Sequence, residues 1–125
     1  MRNLPVEAEL KEILSPAFRP DELLARCLGR TDLMKRILGK FRGTFVKDYD
    51  LLEAAVEQAN AADVALLSHR LKGAAANIGA PAIRDVAVTI EDKARQQSLE
   101  GCRELLRVLA NEWTRFLDAI DEHLQ

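Results

Sequence analysis

The chain is short of the features that would place it in several large functional classes. It has no basic surplus: 18 Lys and Arg stand against 20 Asp and Glu, a net charge of −2, which argues against a general nucleic-acid binder. No apolar run approaches the ~18 residues needed to cross a bilayer, so no membrane association is expected. The opening M-R-N-L-P-V-E-A-E-L-K-E has no apolar core of the signal-peptide kind, and the expected location is the cytoplasm. Only two cysteines occur, Cys27 and Cys102, with neither metal-ligand spacing nor a close partner. Both fall in apolar patterns and read as small buried hydrophobes. Aromatics make up 5% of the chain, β-branched runs are few, and no strand alternation, internal repeat or low-complexity tract appears.

What is present is helical periodicity. The 125 residues, 48% apolar and 30% charged, suffice for one domain with a single core. Pro5 opens a short helix with Val6, Leu10 and Ile13 or Leu14 on one face, and Ser15-Pro16 ends it. Pro20 starts a second short helix with acidic residues in its first turn, and Gly29 is its stop. Thr31 is the expected N-cap of a long helix to about Ala59, with Met34, Leu38, Phe41, Phe45, Leu52, Val56 and Ala59 inward. Gly39 and Gly43 lie on its far side, either as tolerated surface glycines or as a bend or a space for a partner. Asn60–Asp63 reads as a turn. The next helix runs to about Ile78, is capped by Gly79, and is followed by a helix opening at Pro81 with Ile83, Val86 or Ala87, Ile90 and Ala94 inward. Ser98 is the expected cap of a last helix with the stripe Cys102, Leu106, Leu109, Trp113, Phe116, Ile120 and Leu124. The reading is all-α: an antiparallel up-down four-helix bundle with one or two short N-terminal helices. Residues 1–19 form an N-terminal helical extension and residues 20–125 the bundle domain.

One stretch does not fit packing alone. In Ser68–Ala80, S-H-R-L-K-G-A-A-A-N-I-G-A, the stripe Val64, Leu67, Leu71, Ala74 and Ile78 faces inward. His69 then lies roughly 160–180° from the stripe's centre, among Ala65, Lys72, Gly73 and Ala76. An outward imidazole thus has a lysine one turn on and little bulk nearby. Folding two helices back about a centre near residue 80 puts His69 level with Glu91. A carboxylate there can accept the Nδ1–H bond and leave Nε2 outward and nucleophilic. Lys72 adds positive charge where an incoming phosphoryl oxygen would lie, and Gly73 keeps the approach open. A solitary exposed histidine needs no role, but here three residues converge on one. His123 is most simply a favourable charge near a helix C-terminus.

Other chemistries fit poorly. The i+4 position from His69 is Gly73 and no thiolate is nearby, so no metal site is expected. Ser68 and His69 are adjacent and point apart on a helix, which disfavours a hydrolase. No phosphate-cradling glycine loop precedes a helix, so autonomous ATP-dependent kinase activity is not expected.

His69-x-Leu71-Lys72-Gly73, then Gly79-Ala80, then Glu91, resembles the signature of the histidine-containing phosphotransfer (HPt) domain. The likeness extends over roughly residues 20–122 and includes the long helix with Phe41 and Phe45. The resemblance implies that His69 is phosphorylated, that Lys72 assists, and that Glu91 takes the place of the family's histidine-bonding Gln or Glu. Arg95 falls where some members carry a basic residue, and Ala74-Ala75-Ala76-Asn77 fits the family's small-residue segment. It further implies a monomer that relays phosphoryl groups between aspartates on receiver domains of hybrid histidine kinases and response regulators. Such a protein needs no cofactor of its own, Mg²⁺ being expected on the receiver. Ala65, Gly73, Ala76 and Arg95, with the exposed face of the N-terminal helices, are the expected docking surface. Two alternatives stay open: a helical interaction module without phosphate, and the phosphoacceptor domain of a chemotaxis-type histidine kinase.

Overall fold

A computed structural model describes residues 15–124. The helix expected from Pro5 falls outside them. Among the described residues there are five helices and no strand: α1 (Pro20–Arg26), α2 (Thr31–Glu57), α3 (Ala61–Ile78), α4 (Pro81–Arg95) and α5 (Cys102–His123). The last four form the antiparallel bundle that the periodicity predicts, and α1 lies across one end.

Each connection is short because its residues stop one helix and start the next. Leu28 and Gly29 take φ 55° and 78°, and the Gly29 N–H closes onto the Leu24 carbonyl, so α1 ends and Arg30 leads straight into α2. Arg30, not Thr31, is the N-cap of α2; Thr31 is already helical, and no side chain caps the end. Ala59 takes φ 55° in the turn after α2 and is exposed, so it does not belong to the inner stripe. The turn is Gln58–Asn60 rather than Asn60–Asp63, because Asn60 itself caps α3 through the Asp63 N–H at 3.1 Å. Ser98 does not cap α5. Its N–H closes the end of α4 onto the Lys93 carbonyl, and Gly101 with φ 80° precedes α5.

The core is one apolar cluster filled from all five helices, including Leu23 of α1, Met34, Leu38, Phe45 and Leu52 of α2, and Leu105, Leu109 and Phe116 of α5. Both Val86 and Ala87 are buried on α4, and both cysteines are buried and unpaired. Between α2 and α5 the contact is aromatic: the Phe45 and Trp113 rings stack at 4.0 Å, although Trp113 and Leu124 are only half-buried. Leu105, Val108 and Glu112 complete the α5 face, and burial pushes the Glu112 carboxyl up against the pull of Arg115. A Cβ at Gly39 or Gly43 would meet open space. No helix among the described residues is long and apolar enough to cross a membrane.

Residues 15–19 pack onto the α3–α4 turn. The Arg19 N–H donates to the Gly79 carbonyl at 2.7 Å, the Ala82 N–H to the Pro16 carbonyl at 3.2 Å, and Phe18 meets Phe116 edge-on. This contact fixes the end of the bundle that carries the turn between α3 and α4.

Candidate functional site

The site begins with the rotational phase of α3. Its buried stripe is Val64, Ser68, Leu71, Ala75 and Ile78, with Leu67 and Ala74 only half-buried. The inward face is therefore turned by about 40° from the one the apolar residues suggest. The cause is Ser68, whose hydroxyl donates to the Val64 carbonyl at 2.6 Å and so sits in the core without an unsatisfied polar atom. His69 remains outward, its side chain 58% exposed.

The turn brings Lys72 half-buried toward α4, and the fold-back brings Glu91 to the same level. Glu91 is almost fully buried, yet both its oxygens are used. His69 Nδ1 lies 2.9 Å from Oε2; Arg95 donates from Nε at 2.9 Å and Nη2 at 2.6 Å to the same oxygen; Lys72 Nζ lies 2.8 Å from Oε1. Burial alone would push this carboxyl up, but the hydrogen bonds from Lys72, Arg95 and His69 outweigh it and hold it at about 2. An ionised carboxylate only accepts, so neutral His69 carries its proton on Nδ1 and leaves the Nε2 lone pair free. Nε2 has no hydrogen-bond partner among the described residues.

His69, Lys72, Glu91 and Arg95 thus form one cluster. The sequence pattern sets Lys72 and Arg95 toward an incoming partner, whereas in the structure both are engaged with Glu91. Gly73, one turn beyond His69, is exposed, and a Cβ there would meet nothing within 4 Å. Ala65 is half-buried one turn before His69, and Ala76 is exposed two turns beyond it. His123 lies elsewhere, its ring edge-on to Phe18. Among the described residues no group of three His, Cys, Asp or Glu side chains is placed to hold a metal.

Three contributors are not evident in the sequence. Arg26 of α1 donates to the Ala76 and Asn77 carbonyls at 2.9 and 2.8 Å, satisfying the C-terminal end of α3. Arg70 reaches the buried Asp48 of α2 at 2.6 Å and ties α3 to the long helix beside the histidine. Leu66, three residues before His69, is a large apolar side chain left 64% exposed. An apolar residue on the outward face was the one available signal, and it marks Leu66 alone.

A family model described as the Hpt domain matches residues 36–123, which spans α2 from its first turns through α5 and contains the whole His69 cluster. No curated protein and no solved structure gives a significant match.

Proposed function

The chain belongs to the Hpt domain family, whose role is histidine phosphotransfer in two-component systems, and from that premise we propose that it relays a phosphoryl group between aspartates of receiver domains through His69. The observation that carries the proposal is the 2.9 Å contact between His69 Nδ1 and the ionised Glu91, with Nε2 left outward.

Nε2 attacks the phosphorus of a receiver's aspartyl phosphate in line. The N–P bond forms as the P–O bond to the aspartate breaks, and the aspartate leaves as a carboxylate. The ring becomes a phosphoimidazolium, and Glu91 beside Nδ1–H stabilises its positive charge. Lys72 and Arg95 outweigh Glu91 by one positive charge, so the cluster as a whole attracts the incoming phosphoryl oxygens. Lys72 can turn from Oε1 to a phosphoryl oxygen while Arg95 keeps Glu91 in place. Mg²⁺ held by the receiver supplies further charge neutralisation. Phosphohistidine and aspartyl phosphate are both high-energy, so the transfer runs either way according to partner concentrations. The proposed site of action is the cytoplasm, and the proposed unit is a monomer.

The test is incubation with a panel of phosphorylated receiver domains. Label is expected on His69, acid-labile and stable in base. His69→Gln should lose it with unchanged helical content and melting, because the ring is exposed. Full labelling of that variant, or label on His123, sinks the assignment.

A further inference from the structure

We infer that the receiver seats on the flank of His69 built around Leu66, with Leu66 as the apolar anchor that sets receiver affinity; the inference rests on the phosphotransfer reading above. Leu66 is 64% exposed and three residues from His69, so the two side chains are surface neighbours on α3. Beside it an open groove of about 420 Å³ runs between the start of α3 and the end of α4, lined by Ala62, Ala65, Leu66, Ala94, Arg95 and Gln97. Groove and site are continuous. Ala65 stands one turn before His69, and Arg95 is the residue that grips Glu91.

The area a partner must cover supports the assignment. A specific interface takes on the order of 800 Å² from each side, which is a disc of about 16 Å radius. Centred on Nε2, it takes in Leu66 and the adjoining groove, and the few residues near the centre of an interface carry most of the binding energy. The other apolar outward residues of α3 around His69, namely Ala62, Ala65, Gly73 and Ala76, offer at most a methyl group. Only Leu66 has the bulk to fill a recess in the partner, while the alanine-lined groove next to it admits an apolar side chain in return. Arg95, 58% exposed, borders that groove and presents its outer edge to an acceptor on the receiver. The occupant is thus a receiver surface with an apolar side chain and a carboxylate or carbonyl close to its phosphoaspartate.

The experiment pairs two donors. Transfer from a phosphorylated receiver is measured over a range of receiver concentration, and labelling by phosphoramidate, which needs no docking surface, is measured beside it. Leu66→Ala should raise the half-saturating receiver concentration on the order of tenfold, the scale of one buried leucine. Leu66→Glu should raise it further. Maximal rate and phosphoramidate labelling should stay at the wild-type level in both. Wild-type half-saturation in both variants overturns this inference and leaves phosphotransfer standing. Failure of the wild-type chain to take label from either donor overturns both. A wild-type dimer in sedimentation that Leu66→Ala dissolves also overturns the inference, since the flank then belongs to a second copy of the chain.

Discussion

Lys72 Nζ stands 2.8 Å from Oε1 of Glu91. The lysine one turn from His69 is therefore part of the frame that holds the histidine's own partner. With Arg95 on Oε2, the carboxylate is gripped from two sides and cannot rotate away from His69 without losing both cations. A buried carboxylate with a single partner would be an unfavourable way to orient an imidazole, because the desolvation would go largely uncompensated. Two half-exposed cations make the burial tolerable and keep the group ionised.

Glu91→Ala should therefore slow transfer while leaving docking intact. Losing the hydrogen-bond partner of a functional histidine costs roughly 10–100-fold in metal sites, and that scale is the expectation here. The half-saturating receiver concentration should hold within a factor of about two, since Glu91 is buried and a docking partner does not meet it. NMR of the His69 ring is the direct check: the Nδ1–H tautomer should dominate in the wild type and lose its excess in the variant. Equal tautomer ratios in the two proteins would show that Glu91 does not orient the ring.

Glu91 also dictates how stability responds to acid. Its ordinary value is 4.5 and its folded value about 2, so the folded state favours the ionised form. The stabilisation is fully present above pH 4.5 and is lost as the pH falls from there through about 2. Thermal melts across that window should show the wild type falling more steeply than Glu91→Gln, whose side chain does not titrate. Parallel curves would mean that the cation contacts to Glu91 do not persist in solution.

The fold and the heart of the site were legible for the same reason: regular helices joined by short turns. Because Gly79-Ala80 is a tight connection, counting outward from residue 80 was enough to set Glu91 level with His69. The misreadings come from interactions that hydrophobicity does not encode. Ser68 enters the core by bonding back to its own helix, so the apolar pattern gave α3 a phase that favoured Leu67. Arg26 reaches Ala76 and Asn77 across 50 residues of sequence, and nothing local announces it. Thr31 and Ser98 have good capping chemistry, yet the backbone turns that end α1 at Gly29 and α4 at Gln97 shift the boundaries, so that Thr31 already lies inside α2 and Ser98 falls short of α5. The pairing of Lys72 with Glu91 follows from the same change of phase, which turns Lys72 toward α4.

Gly73 and Gly79 sit six residues apart on and just after α3, and they should respond to substitution in opposite ways. At Gly73 a Cβ meets open space and the backbone is ordinary helix, so Gly73→Ala should stabilise the protein by up to ~1 kcal/mol. Gly79 takes φ 78°, and a Cβ there would lie 2.8 Å from the Arg19 carbonyl oxygen, which belongs to backbone that is itself bonded to Gly79. Gly79→Ala should therefore lose at least the roughly 1–2 kcal/mol of a left-handed residue, and more if residues 15–19 are displaced. Thermal melts read both. A longer side chain separates folding from function: Gly73→Gln should melt normally but stand beside the imidazole, so receiver transfer falls steeply while phosphoramidate still labels His69. Unfolding of Gly73→Gln would make this glycine a packing residue and contradict the outward face of α3. Normal transfer from the receiver would leave the helix phase intact and move the docking surface away from the Gly73 side of the histidine.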